Sequence, residues 1–394
     1  MTYRLALLSE IALIERDGRH WTLDLWVKDL QAQVDAVQSV TLFSPVIDEA
    51  PQPWTLLALP ESVRVVPLPA NRSTIARELA TVDVVQVPGN STWRLSHHAR
   101  VFIRMAHQAG KPAVLGISSD RATTHLVNAR GQNILRRARA RLRSLSVKIS
   151  QRYLVTRCEG VFVVGEGLRR LVETTNSNVF VGTASWIRAS DILPAATARR
   201  DPLAIRICAA ARLEPMKGIS LALEAMATLK ARGDMPSLAL LIAGQGPEES
   251  ALRAQCHALQ LQDVTRFAGS FGYPGPFFEL LGSQDIVVLT NLNDEQPRLI
   301  FDAISQGCLI VCPDSLPYRA LGIPDCLLYR RGDSAALAQA LARAIAAIDD
   351  VALRTTLHAM ARSATIESMH ERRRDWMQST VVNGQSALVE RPAR

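Results

Sequence analysis

No run of residues in this chain approaches the roughly eighteen consecutive apolar positions that a membrane-spanning helix needs, which argues against a spanning segment. The first residues, MTYRLALLSEIALIERDG, lack both a basic leader and a small-residue cleavage site, so export is not expected and a cytoplasmic location is. Cysteines are few and scattered: Cys158, Cys208, Cys256, Cys308, Cys312 and Cys326 form no CxxC pair and no His-spaced zinc pattern. Cys308 and Cys312, close together on an expected buried strand, read as small core residues; a reducing compartment fits, and no metal site is expected. Aromatic residues make up only 5% of the chain and no nucleic-acid recognition module is visible, which disfavours a nucleic-acid partner. No GxGxxG follows a first strand and no P-loop ending in GK[ST] occurs, so neither a dinucleotide-dependent dehydrogenase nor a P-loop NTPase is indicated.

What is present is enough apolar material for two cores. With 394 residues, 48% of them apolar and 21% charged, the chain suits two α/β domains. A net charge of +8 points to an anionic partner. Much of that charge is local: residues 130–157 carry Arg136, Arg137, Arg139, Arg141, Arg143, Lys148 and Arg152 and no acidic residue. Ile134, Leu135, Leu142, Leu145, Val147 and Ile149 are interleaved with them, giving a basic amphipathic helix that could lie on an anionic membrane or be a solvated face.

Short apolar runs alternate with amphipathic helical patterns along the whole chain, the signature of parallel sheets covered by helices. YRLALLSEIAL, SVTLFS, RVVPL, VDVVQVPG, KPAVLGISS, GVFVVGEG and NVFVGTASWIR read as strands of a first domain. AIRICAAARL, SLALLIAG, TRFAGSF, DIVVLTN and CLIVCPD read as strands of a second, with helices expected over 219–232, 248–259, 276–281 and 299–306. The expected fold is therefore two tandem Rossmann-like domains with a cleft between them. The boundaries are 1–188 for the first domain, 189–202 for an Ala- and Pro-rich linker and 203–362 for the second. A terminal helix over 363–380 with a solvated charged face and a frayed tail from 381 complete the chain.

The second half carries the chemistry. Its first strand runs into Arg212-Leu-Glu-Pro-Met-Lys217-Gly218 and a helix, so two cations stand at a strand's carboxyl end, a place suited to a diphosphate. The second strand ends in Gly244-Gln-Gly246-Pro247, where glycines permit close backbone approach. TRFAGSFG follows, and then NLNDEQPRLIFDAISQG, in which Asp294 and Asp302 bracket a loop that becomes a helix. Alone, each of these is ordinary: a surface charge, a turn, a helix cap. Their order and spacing together are specific.

That order resembles the donor domain of the large retaining glycosyltransferase family that includes sucrose synthase, glycogen synthase and phosphatidylinositol mannosyltransferase. The resemblance rests on Arg212-Leu213, Lys217-Gly218, Gly244-Gln-Gly246-Pro247, Phe267-Ala-Gly269 and Ala303-Ile-Ser-Gln-Gly307, and covers roughly Ile205 to Pro313. Where the family has Glu-x7-Glu this chain has Asp294 and Asp302, and Glu295 replaces a usual Gly; an alternative register, Glu295 to Asp302, is one residue short. The resemblance implies a GT-B fold and a retaining hexosyltransferase that uses a nucleotide-diphosphate sugar without cofactor or metal, consistent with the absence of a DxD motif. Arg212 and Lys217 would stabilise the leaving diphosphate, and Asp294 would face the donor sugar. Asp302 would bind the ribose hydroxyls, and the backbone of Glu295, Gln296, Pro297, Arg298, Leu299 and Ile300 would hold sugar and phosphate. Groups near Phe271 would meet the base, and Gly244 and Gly246 would line the donor site.

In the first half the loop Glu15-Arg-Asp17-Gly18-Arg-His20-Trp21 is expected to end a strand and start a helix, with Gly18 near the donor phosphate and His20 and Trp21 on the acceptor sugar. Asp120 follows another strand and is either a general base or the N-cap of the next helix. The acceptor would be a polysaccharide or lipid-linked glycan, handled at the inner membrane face by a peripheral protein. Two alternatives remain: a nucleotide-sugar epimerase, and a weakly active homologue that serves as a nucleotide- or carbohydrate-binding scaffold.

Overall fold

The Val-, Ile- and Leu-rich runs form parallel strands buried on both faces, which is why they lack the polar alternation of a half-solvated sheet. The structure is a computed structural model and describes residues 2–49, 55–194, 204–233 and 235–389. The second half of the expected linker, from residue 195 on, lies outside the described residues. The chain divides into two units: one of residues 1–125, 132–183 and 366–394, the other of 126–131 and 184–365.

In the first unit the strands are β1 (Arg4–Leu8), β2 (Leu13–Arg16), β3 (Arg19–Leu23), β4 (Ser39–Ile47), β5 (Leu56–Ala58), β6 (Val63–Leu68), β7 (Val84–Pro88), β8 (Ala113–Ile117), β9 (Gly160–Val164) and β10 (Val179–Gly182). Their order is β10-β9-β8-β7-β1-β4-β2-β3-β5, with β6 also paired to β4. Chain progression thus reverses beside β1, which pairs in parallel with β4 on one side and β7 on the other. Such a reversal opens a crevice at the strands' carboxyl ends.

Three expectations for this unit are corrected. YRLALLSEIAL is a strand only as far as Leu8, and the next begins at Leu13, because Ser9 turns the chain: its hydroxyl accepts from the Ile11 amide at 3.0 Å. The segment from Glu15 to Trp21 is not a strand-to-helix loop but a β-hairpin, β2 against β3, with Ile14 opposite Trp21 and Glu15 opposite His20. Asp17 and Gly18 occupy its two-residue turn with φ of 52° and 69°, the left-handed pair that matches strand twist. The third correction is at the end of the unit, where NVFVGTASWIR is a strand only over Val179–Gly182.

The C-terminal helix Ile366–Val389 belongs to this unit and runs past Thr380 instead of fraying at 381. Its charges are not all solvated. Arg373 is buried, donates to the Gln86 side chain and lies 4.9 Å above the Phe162 ring; burial lowers its pKa. His370 is also buried, 3.3 Å from Asp29, and Trp376 donates to Asn178 at 2.7 Å. Buried polar groups need partners, and these bonds supply most of them, Arg373 Nε being buried without one.

The second unit has β11 (Ala204–Ala210), β12 (Ser237–Ala243), β13 (Thr265–Gly269), β14 (Ile286–Val288), β15 (Leu309–Pro313) and β16 (Leu328–Tyr329), ordered β13-β12-β11-β14-β15-β16. This is the doubly wound order, with its switch point between β11 and β14. The helix Ile219–Arg232 stands as expected between Gly218 and Gly233, both left-handed. Cys208, Cys308 and Cys312 are buried and free in this unit's core. The closing pattern of the unit is the helix Val351–Ser363, separate from the terminal helix. Among the described residues no helix is long and apolar enough to cross a membrane.

Candidate active site at the switch point of the second sheet

β11 delivers Arg212, Leu213, Glu214 and Lys217, and β14 delivers Thr290 to Arg298, so the switch point brings the two expected charge clusters together. Backbone bonds join the loops. The Leu292 amide donates to the Met216 carbonyl at 2.9 Å, and the Thr290 hydroxyl to the Lys217 carbonyl at 2.6 Å. Gly218 sits at φ 61° under this contact, where a Cβ would come within 2.5 Å of the Thr290 carbonyl oxygen.

Gly244 and Gly246 serve the same end from the next loop. The Leu213 amide donates to the Gln245 carbonyl at 2.9 Å and the Glu248 amide to the Leu213 carbonyl at 3.0 Å. A Cβ on Gly244 would lie 1.9 Å from the Ala211 carbonyl oxygen, and one on Gly246 2.4 Å from that of Leu213. Both glycines are therefore required by the loop that carries Arg212.

Lys217 is partly buried and its pKa is lowered by desolvation, with Glu295 acting in the opposite direction and Arg212 adding repulsion. Arg212 is well exposed and pairs with Glu214 at 3.2 Å. Of the adjacent acids, Glu295 therefore bears on Lys217, whereas Asp294 binds Arg331 at 2.5 Å, a partner 37 residues away that sequence reading missed. Gln296 is buried and its side-chain oxygen accepts from the Ala184 amide at 2.8 Å. Pro297 closes the loop, and Leu299 and Ile300 are buried in the helix Leu299–Ser305.

Asp302 lies on that helix and is 1% exposed. One oxygen accepts from the Tyr273 hydroxyl at 3.2 Å; the other, Oδ2, is 3.8 Å from Arg298 Nε and makes no hydrogen bond. Arg298 is stacked 4.2 Å over the Trp186 ring and 5.1 Å over Tyr273, so it covers the carboxylate. Trp186 and Tyr273 carry no motif and were not anticipated. Phe271 is partly buried and packs against the core of this unit.

Burial raises the Asp302 carboxyl to about 7, against the smaller lowering effects of Arg298 and Tyr273. The fold thus favours the protonated acid. Its stabilising contribution is complete below the unfolded carboxyl value and is lost as pH rises through about 7. Stability should fall over that window by on the order of a few kcal/mol, and Asp302→Asn should remove most of the fall. Thermal midpoints of both proteins from pH 5 to about 8 check this; parallel curves would contradict it.

In the first unit Asp120 accepts from the Thr123 amide at 3.0 Å and so caps the helix Arg121–Val127. Gly18 is at the exposed hairpin turn, and His20 and Trp21 are on β3, where His20 Nε2 and Trp21 Nε1 are buried without hydrogen bonds. At the unit's own switch point, the loops after β1 and β7 meet where the Ser91 hydroxyl donates to the Glu10 carboxylate, a pair not anticipated as functional.

Comparison with known proteins fits this geometry. Residues 199–355 match the family described as glycosyl transferases group 1. No curated protein matches the chain in sequence. Among solved structures it is similar to Anabaena HepE in complex with UDP, at 14% identity and a TM-score of 0.65 over 95% of this chain and 99% of that one. It is also similar to the lipopolysaccharide outer core galactosyltransferase WaaB, at 11% identity and 0.62 over 95% and 99% of the two chains. Sucrose-phosphate synthase from Thermosynechococcus elongatus gives 16% identity and 0.60 over 98% and 100%. At such identities these likenesses speak to fold. The chain has the GT-B fold of two Rossmann-like domains, and within it residues 199–355 are similar to the glycosyl transferases group 1 family.

Proposed function

We propose that the protein transfers a hexose from a nucleoside-diphosphate sugar, with retention of anomeric configuration, to a glycan or lipid-linked acceptor in cell-surface glycan synthesis. The observation that carries this reading is the pairing of Arg212 and Lys217 after β11 with the Asp294–Arg298 loop after β14, inside the region that matches the glycosyltransferase family. As the bond from the anomeric carbon to the β-phosphate oxygen breaks, its electron pair stays on the phosphate. Arg212 and Lys217 stabilise that charge, and they do so more strongly in the transition state than in the ground state. No metal or cofactor is required for this.

Asp302 Oδ2, buried and without a hydrogen bond, is the acceptor for a ribose hydroxyl once Arg298 turns outward toward the donor. Asp294, released from Arg331, faces the sugar. UDP in HepE is an example of a nucleotide on this fold, and the base used here is open to test.

The test is incubation of the protein with UDP-, GDP-, ADP- and dTDP-sugars and cell-envelope glycolipid extract. Product is followed by mass spectrometry and its anomeric proton by NMR. A glycosylated product with the donor's anomeric configuration supports the reading; inversion removes the retaining assignment. A second reading, a nucleotide-binding scaffold, is favoured by the closed state of both acids, Asp294 on Arg331 and Asp302 under Arg298. Nucleotide binding without release of nucleoside diphosphate would select it.

A further inference from the structure

The helix Ile134–Val155 has two apolar faces, and only one of them is used. Ala140, Ser144, Val147, Ser150, Gln151, Leu154 and Val155 are buried, Leu154 and Val155 in the core of the first unit. On the other side Ile134, Leu135, Leu142, Leu145 and Ile149 are 82%, 73%, 68%, 55% and 51% exposed. At about 100° per residue these five fall within an arc of roughly 100°, opposite the buried face. A solvated helix face is polar; this one is aliphatic.

Its borders are cationic. Arg141, Lys148 and Arg152 follow one edge of the aliphatic arc and Arg139 and Arg143 the other, all exposed, with no acidic residue in the helix. The segment Trp93–Leu95 extends the surface. The Trp93 amide donates to the Ser146 hydroxyl at 3.0 Å, and its ring meets Tyr153 edge-on at 5.2 Å, so it lies alongside this helix. Trp93 and Leu95 are themselves 40% and 64% exposed, with Arg94 between them and Arg100 stacked 4.1 Å over the indole.

We infer that the outer face of Ile134–Val155, together with Trp93–Leu95, docks flat on an anionic lipid bilayer. The aliphatic arc enters the acyl boundary, Trp93 sits at the headgroup level, and the flanking arginines meet lipid phosphates. Charge selects this occupant. A second copy of the same face would set arginine rows against each other, and a nucleic acid would leave five large aliphatic side chains unburied. The inference deepens the reading of a lipid-linked acceptor and rests on it for its biological sense, but binding itself needs no transfer activity.

The experiment is flotation of the full-length protein with vesicles of phosphatidylcholine alone and of phosphatidylcholine with phosphatidylglycerol. UDP, GDP, ADP and dTDP binding is measured on the same samples as the separate check on the donor site. The expected result is binding to anionic vesicles only, weakened by salt. Leu142→Glu/Leu145→Glu/Ile149→Glu and Arg139→Gln/Arg141→Gln/Arg143→Gln should each lower the affinity by about tenfold or more with melting unchanged. Trp93→Phe should remove the part of the fluorescence that brominated lipid quenches. No binding of folded protein to anionic vesicles overturns the inference, as does undiminished binding by the aliphatic variant. A concentration-dependent dimer that the aliphatic variant abolishes overturns it in favour of self-association.

Discussion

Lys217→Ala should lower the turnover of sugar transfer by about 10²- to 10³-fold, the cost of removing one preorganised charge from a transition state that accumulates negative charge. The loss should fall mainly on kcat, because the diphosphate carries its extra charge only as the glycosidic bond breaks. Folding should survive. Lys217 is desolvated in the native state, which lowers its pKa, so its replacement relieves a cost and leaves the Thr290 bond to the residue's carbonyl in place. Steady-state kinetics with the preferred donor measure the effect. A rise in KM with unchanged kcat would mean that Lys217 only holds the substrate.

Gly244→Ala should be the most damaging single methyl in the second unit. The added Cβ would fall 1.9 Å from the Ala211 carbonyl oxygen, and at φ 130° the backbone is one that L side chains rarely adopt. Neither atom can yield cheaply: the Ala211 amide is tied to the Ala243 carbonyl at 3.0 Å and the Gly244 amide to that of Gly269 at 2.6 Å. A loss of about 3–5 kcal/mol is expected, at the severe end of point substitutions. Gly275→Ala is the control, since a Cβ there meets nothing within 4 Å and the residue opens a helix. Denaturant midpoints should separate the two variants widely; similar midpoints would show that the loop shifts freely.

Much of the second unit was legible in sequence because its signals are local. Helix 219–232 is bracketed by Gly218 and Gly233, and the strands are short apolar runs closed by polar turns. Arg212 and Lys217 could be placed because a first strand precedes them. The hairpin was misread because the helix expected to start directly after this loop begins only at Asp24, beyond the strand Arg19–Leu23. Asp17-Gly18 between two short strands was the available signal for a two-residue turn. The cover over Asp302 was not legible at all. Trp186, Tyr273 and Arg298 are far apart in sequence and meet only through packing, as do Asp294 and Arg331. The reason for Gly244 and Gly246 was hidden likewise, since it depends on a loop more than thirty residues upstream in the chain.

The reading that the second unit is a nucleotide-sugar donor site is tested most directly by a thermal-shift panel of UDP, GDP, ADP and dTDP sugars. It would be run on the intact protein and on Arg212→Ala/Lys217→Ala. One nucleotide series should raise the midpoint, by the equivalent of about 2–3 kcal/mol at a hundredfold excess over Kd, and the double variant should lose that rise while melting alone as the parent does. No rise with any nucleotide in folded protein, or a rise that the double variant retains, would contradict it.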